Sequence, residues 1–501
     1  MDSRIRKVLV ANRGEIALRI MRTLRELGIG TVAIHSEVDV TMPFVRYADE
    51  AYPLGGKEAR DTYLDIGKII SIAKRSGADA IHPGYGFLSE NSEFARETEK
   101  NGIIYIGPGA DAIRSMGDKT EARKIVGGFG VPVVPGARDP VSGVEEAAAI
   151  AAEIGYPILV KAAAGGGGKG MRLVKGESEL ESSLSGAQSE AKSAFGDGRI
   201  FIEKYVSGPR HIEFQILGDH HGNVVHLFER ECSIQRRHQK VVEETPSAAL
   251  TPALREEMGK AAVNAAKACG YTNAGTVEFI LGGDGKYYFL EMNTRLQVEH
   301  PITELTTGID IVREQIRISE GETLRFTQDQ ITRRGHSIEC RIYAEDVFNN
   351  FLPDTGILKM VREPAGNGVR VDSGVETGSE ISVYYDPMIA KLSVWDVTRE
   401  HTISKMIRAL GDYLVVGVKT TIPFCKYVLA SEPFRAGNYS THFVDEYWNS
   451  DGIDSEGIEI ADLDRALIVA SARLNAKSNN SGKSDAAGSK KSAWLDGRFE
   501  D

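Results

Sequence analysis

The first 115 residues alternate short apolar runs with stretches of helical period, and that alternation sets the class of fold they can adopt. Residues 7–11, 31–35, 78–82 and 102–106 read as strands. Between them Ile16, Ile20, Leu24 and Leu27 recur on one helical face until Gly28 ends it, and 61–75 and 93–100 read as further helices. Strands that alternate with helices pair in parallel, with helices on both faces of the sheet. Functional loops then gather at the strand C-termini, where Asn12-Arg13-Gly14 and His82-Pro83-Gly84-Tyr85-Gly86 fall.

From about Met116 the pattern becomes α+β. A helix over 119–126 precedes a strand at 156–161, a glycine run and a second strand at 171–175. A helix over 177–195, strands at 200–206, 211–217 and 223–228, an alanine-rich helix over 252–269 and strands at 276–281 and 287–291 follow. A smaller α+β block spans 336–447. Residues 475–493 carry no aromatic or branched aliphatic side chain and are expected to be disordered. With 501 residues the chain exceeds what one hydrophobic core of ~250–300 residues serves, so several domains are expected.

Lys plus Arg total 60 against 71 Asp plus Glu, a net charge of −11, which argues against a broad nucleic-acid-binding face. No apolar run reaches the ~18–20 residues of a bilayer span, and the N-terminus lacks the apolar core of a signal peptide. Cys232, Cys269, Cys340 and Cys425 are scattered, without zinc-ligand spacing. A cytoplasmic protein with no membrane and no nucleic-acid partner is the expectation.

Three segments carry chemistry. Gly165-Gly-Gly-Gly-Lys-Gly170 lies between two strands rather than before a helix, and Gly170 stands where a Walker A loop needs Ser or Thr. It reads as a glycine hairpin whose N–H groups can fold over a polyphosphate, with Lys119 and Lys161 placed to neutralise charge. A flexible surface hairpin is the plainer alternative. In 291–299, Glu291, Asn293, Arg295, Gln297 and Glu299 alternate with Met292, Thr294, Leu296 and Val298, so extended chain sends the polar set to one face. Glu278 sits in the probable antiparallel neighbour, and two carboxylates with an amide oxygen suit Mg²⁺ bridging nucleotide phosphates. The third, 229–240, reads as a cationic loop holding Arg230, Arg236, Arg237, His238 and Lys240, able to bind an anion or to stay solvated. His220 and His221 read as part of a hairpin turn.

Taken together, Ala11-Asn-Arg-Gly-Glu-Ile-Ala17, His82-Pro-Gly-Tyr-Gly-Phe-Leu-Ser-Glu-Asn91, Met116-Gly-Asp-Lys119, Gln235-Arg-Arg-His-Gln-Lys240, Glu291-Met-Asn-Thr-Arg295, Gln297-Val-Glu-His-Pro301 and Glu339-Cys-Arg341 resemble the biotin carboxylase component of biotin-dependent carboxylases, within the ATP-grasp superfamily. The resemblance runs from about residue 5 to 445. It implies a Rossmann-like N-terminal domain (1–115), an ATP-grasp domain (116–330) with a glycine-rich lid (about 133–206), a small α+β C-terminal domain (331–447) and an extension (448–501). Carried over by position, Lys119, Lys161, Gly167, Gly168, Glu203, Lys204, Tyr205, Val206, His211 and His238 would bind ATP. Glu278, Glu291 and Asn293 would hold Mg²⁺, or Mn²⁺ in its place. Lys240, Arg295, Gln297 and Val298 would grip bicarbonate, Glu299 would be its general base, and Arg341 would face the biotin ureido oxygen with Tyr85 beside it.

The implied reaction activates bicarbonate with ATP to carboxyphosphate and transfers the carboxyl group to biotin N1′. Ala164 and Lys169 stand where many members have Gly and Arg, a change that keeps the lid small and cationic. No Ala-Met-Lys-Met biotinylation motif occurs, so biotin is expected on a separate biotin carboxyl carrier protein, with separate carboxyltransferase subunits and a homodimeric assembly. The final acceptor, acetyl-CoA, propionyl-CoA, pyruvate or another, is not written in the chain. Another ATP-grasp ligase would share the lysines, lid and metal strand, and a non-catalytic scaffold would show damage at the base or metal residues. Ser492-Ala-Trp-Leu-Asp-Gly-Arg-Phe499 is an apolar patch that could dock a partner or be an unstructured end.

Overall fold

The computed structural model describes residues 5–137, 139–162, 171–195, 198–237 and 239–448. Residues 163–170, with Gly167 and Gly168, lie outside this range, as do His238 and residues 449–501 with the 475–493 and 492–499 segments.

The N-terminal alternation folds as expected. Strands β1 (Lys7–Val10), β2 (Gly30–His35), β3 (Glu50–Pro53), β4 (Ala80–His82) and β5 (Ile104–Tyr105) form a parallel sheet in the order β3-β2-β1-β4-β5. Edge strand β3 escapes the sequence reading because it is half exposed and ends in Pro53, which an edge tolerates. The helix expected from residue 61 begins at Ile66, where the Asp65 carboxylate accepts from Lys68 N and caps it. At the β1 and β4 C-termini the Asn12 side chain donates to the carbonyls of Pro83 (2.8 Å) and Tyr85 (2.7 Å). Gly84 has φ +66° there, and a Cβ would meet the Asn12 amide at 2.9 Å, so only glycine fits.

A three-stranded antiparallel sheet follows, β6 (Ile158–Ala162), β7 (Met171–Val174) and β8 (Ile200–Lys204), in the order β7-β6-β8. Helices Val144–Ile154 and Leu180–Phe195 cover it with a core of its own, built on Ile158, Val160, Leu184 and Ile202.

The central element is an eight-stranded sheet. It contains β9 (Arg210–Gly218), β10 (Val224–Arg236), β11 (Gln239–Thr245), β12 (Asn273–Leu281), β13 (Tyr287–Asn293), β14 (His336–Tyr343) and two later strands, Val369–Ser373 and Met388–Asp396. The order is β13-β12-β9-β10-β11-β14, then Met388–Asp396 and Val369–Ser373 at the edge. The sheet therefore runs unbroken from the central region into the C-terminal block through the β11–β14 pairing, Val242 opposite Cys340 and Thr245 opposite Ser337. The largest core cluster likewise joins Val8 and Ile16 to Ile338, Leu392 and Phe424.

Two local expectations change. Segment 229–240 is not a loop: β10 and β11 form a tight hairpin with Arg236 opposite Gln239, and Arg230 is fully buried within it. The extended alternation of 291–299 holds only to Asn293, after which the chain turns into the helix His300–Thr307 with Glu299 at its N-cap. Cross-strand partners, invisible to local period, decide both. No helix among the described residues is long and apolar enough to cross a membrane.

Candidate active site

The sheet register assembles the site. Glu291 lies opposite Glu278, Glu278 opposite Glu213, and Glu213 opposite Arg230, which places one row of charge across β13, β12, β9 and β10. On β9 the alternation sends His211, Glu213 and Gln215 to this face, while Ile212, Phe214 and Ile216 pack into a core on the other.

Lys240, on β11, reaches into this row. Its Nζ lies 2.5 Å from Glu213, 2.9 Å from Glu278 and 2.7 Å from Glu299. Burial works against the ammonium, but three carboxylates outweigh it and hold Lys240 well above the ordinary lysine range. Burial likewise opposes charge on Glu299, but Lys240, Arg341 and Arg230 keep it well below the usual carboxylate range and therefore ionised. Arg341, on β14, bridges Glu243 (Nε–Oε1 2.6 Å) and Glu299 (Nη2–Oε2 2.9 Å). Burial pushes Glu243 up, an effect Arg341 only partly offsets.

The turn after β13 completes the cluster. Arg295 donates to Asn293 Oδ1 (2.7 Å) and to the Gln297 side-chain oxygen, and Gln297 donates to Glu278 (2.9 Å). Glu278 Oε1 thus accepts from Lys240, Asn293 (2.7 Å) and Gln297, and His211 Nε2 lies 3.0 Å from its other oxygen. Burial lowers the pKa of His211, but the charge of Glu278 outweighs it and the net shift is upward. Arg295, Gln297, Glu299, Lys240 and Arg341 therefore converge, although 295–299 is not strand. Glu278, Glu291 and Asn293 also come together through the β12–β13 register.

The residues expected from the sequence to bind ATP form two groups. Lys119 Nζ lies 3.0 Å from Glu291, beside the carboxylate row. Lys161 Nζ is 2.5 Å from Glu203, which also holds Arg123, within the three-stranded sheet and its neighbouring helix. The Lys204 ammonium donates to the carbonyls of Gly155 (2.9 Å) and Tyr156 (3.3 Å). Tyr205 and Val206 follow β8, with the Tyr205 N–H donated to the Pro157 carbonyl. Tyr85 is half buried at the β4 loop, and its hydroxyl donates to Glu15.

Sequence reasoning missed Glu213, Glu243 and Arg123. For Glu213 a signal existed: after Arg210, three polar residues fall at alternate positions of a strand whose remaining residues are apolar. Glu243 and Arg123 gain meaning only from their partners.

Three family descriptions match the chain: Biotin carboxylase, N-terminal domain at residues 4–113, Carbamoyl-phosphate synthase L chain, ATP binding domain at 118–327, and Biotin carboxylase C-terminal domain at 339–446. A pyruvate carboxylase subunit from Methanothermobacter thermautotrophicus is 55% identical over 462 residues, 92% of this chain and 94% of the relative. The chain belongs to the biotin carboxylase family. It is accordingly an ATP-dependent ligase built on the ATP-grasp fold. Biotin carboxylase 1 of Bacillus subtilis is 51% identical over 444 residues, 88% of this chain and 99% of the relative. Among solved structures, the biotin carboxylase domain dimer of Hydrogenobacter thermophilus 2-oxoglutarate carboxylase, in complex with MgADP, ADP and bicarbonate, is similar at TM-score 0.82 and 51% identity, covering 88% of this chain and 98% of that one.

Proposed function

We propose that the chain uses ATP and bicarbonate to carboxylate biotin carried on a separate carrier protein, and that it passes the carboxyl group on through carboxyltransferase subunits while working as a homodimer. The observation that carries this reading is Glu299, buried and ionised between Lys240 and Arg341. A bicarbonate seated among Lys240, Arg295, Gln297 and Val298 shares the cations that otherwise serve Glu299. The carboxylate then gains basicity and takes the bicarbonate proton as the anion's oxygen attacks the γ-phosphorus and ADP leaves. Lys240 and Arg295 stabilise charge on the carboxyphosphate so formed. Carboxyphosphate decomposes to CO₂ and phosphate, and the phosphate takes the proton of biotin N1′ to leave the ureido anion. Arg341 then holds the ureido oxygen as the anion attacks CO₂, with Tyr85 forming the pocket wall.

The donor set fits a divalent cation: Glu278 and Glu291 face each other across one strand pair, Asn293 would add the amide oxygen that here accepts from Arg295, and all three offer hard oxygen ligands. Mg²⁺, or Mn²⁺, held there would neutralise charge on the nucleotide phosphates. Lys119 and Lys161 with Gly167, Gly168, Glu203, Lys204, Tyr205, Val206, His211 and His238 complete the nucleotide side of the proposal.

The test is ADP release with Mg-ATP, omitting bicarbonate and biotin in turn. Turnover should require bicarbonate and rise with free biotin. In Glu299→Gln, bicarbonate-dependent turnover should fall about 100-fold or more while Mg-ATP binding persists. Hydrolysis indifferent to both additions would assign a different acceptor.

A further inference from the structure

One charged side chain at the centre of the molecule has no part in the reaction as set out above. Lys391 lies on the strand Met388–Asp396, directly opposite Arg341 on β14 and opposite Asp372 on the other side. Cross-strand partners share a face, so Lys391 stands beside the arginine that faces biotin. Its side chain is fully buried. The ammonium donates to the Val298 carbonyl (2.8 Å), lies 3.2 Å from Glu15 Oε1 and sits 5.7 Å from the centre of the Tyr85 ring. Glu15 Oε1 also accepts the Tyr85 hydroxyl, and its other oxygen is buried without a partner among the described residues.

We infer that Lys391 is a positioning residue of the carboxylation site, its buried ammonium fastening the Val298 carbonyl to Glu15 and through Glu15 to Tyr85. The inference rests on the function proposed above. The Val298 carbonyl belongs to the peptide that leads into Glu299, so holding it sets the plane from which the base projects. Glu15 belongs to the N-terminal region and Tyr85 to the β4 loop, so one lysine aligns the bicarbonate side of the site with the biotin side. A buried lysine is costly unless its charge and protons are all engaged. A simple ion pair with Glu15 would satisfy the charge, but it would not call for the contact with Val298.

Full-length Lys391→Met removes the ammonium and strands the Glu15 carboxylate, so its stability alone does not separate a structural from a positioning role. Glu15→Gln/Lys391→Met removes both charges and should recover most of the lost Tm, because Asp372, 4.0 Å from the ammonium, keeps its pairing with Arg370 and no carboxylate is left unpaired. In the double variant the KM for bicarbonate should stay raised about tenfold, the scale of one lost hydrogen bond. The KM for Mg-ATP should not move. Lys391→Arg, which retains the charge, should fall between the two. A double variant that recovers both Tm and bicarbonate KM would overturn the inference and leave Lys391 as half of a structural ion pair, and so would a proportional rise in both KM values. Wild-type protein without bicarbonate-dependent turnover would instead overturn the function on which the inference stands.

Discussion

Buried glutamates in this chain differ in state because their neighbours differ. Glu299 is ionised by the cations around it, whereas burial, with Glu339 and Glu299 nearby, pushes Glu243 upward against Arg341 and the weaker influence of Lys240. The motifs made Glu299, Lys240 and Arg341 legible as residues. They did not reveal which carboxylate each cation would meet, since those partners lie 27 to 98 positions away in sequence. Glu244 is the clearest case to titrate. It accepts from His336 (2.7 Å), from Arg399 (2.7 and 3.0 Å) and from the Tyr439 hydroxyl (2.5 Å). Burial raises its pKa, but the His336 hydrogen bond and the charges of His336 and Arg399 win and bring it to about 2. A carboxylate depressed on folding adds stability that is fully present above its unfolded value, ~4.5, and is lost as pH falls toward the folded one. That depression corresponds to roughly 3 kcal/mol. Denaturant melts of wild type and Glu244→Gln should therefore differ most at neutral pH, and the gap should close progressively below about pH 4.5. A gap constant from pH 7 to pH 3 would refute this account.

Elements were legible where period and capping act locally. The parallel strands, the alanine-rich helix Pro252–Ala268 and the β12–β13 pair all stand where periodicity put them. Elements set by distant contacts were not: β3 is defined by β2, and the β10–β11 hairpin by neighbours on both sides. The same holds for close approaches between elements. Gly374, just past Val369–Ser373, packs against the start of helix α1 (Gly14–Glu26), and a Cβ there would meet Glu15 N at 2.5 Å and Gly14 C at 2.8 Å. Both are backbone atoms that cannot rotate away, so Gly374→Ala must separate strand and helix, at a cost of about 1–3 kcal/mol. Gly411 offers the contrast. It lies in the helix Arg399–Asp412 with open space around its Cβ position, so alanine there should stabilise by about 0.5–1 kcal/mol. Thermal melts of the two variants should shift in opposite directions. Matching shifts would mean that the close approach at Gly374 does not constrain the packing.

At the scale of the whole molecule the sequence suggested three successive blocks, but the sheet joins two of them. Because β11 pairs with β14, the central strands and the C-terminal strands share one hydrogen-bonded ladder, and the main core reaches from β1 to the helix Ile422–Ala430. No local pattern around residue 330 could announce this, since pairing partners are chosen across nearly a hundred residues. The three-stranded sheet is built otherwise. Among the described residues its strands join no strand of the main sheet, β8 taking its outer backbone hydrogen bonds from the 135–141 segment, and its core around Ile158 and Ile202 is separate from the others. A unit with its own small core can open or tilt without breaking the main ladder, as a lid over nucleotide must. Amide hydrogen exchange should then find two classes. Amides of β6 and β8 should exchange faster than those of β9, β11 and β14 in the free protein, because opening the small sheet disrupts less buried surface. Adding Mg-ATP should slow β6 and β8 by at least several-fold, since Lys161 on β6 and Glu203 on β8 would then be tied to bound nucleotide. The slow class should barely change, because its ladder is complete without ligand. Equal exchange in the two sheets, or equal slowing by nucleotide, would mean that the small sheet moves only with the rest of the molecule and that closure has to arise elsewhere.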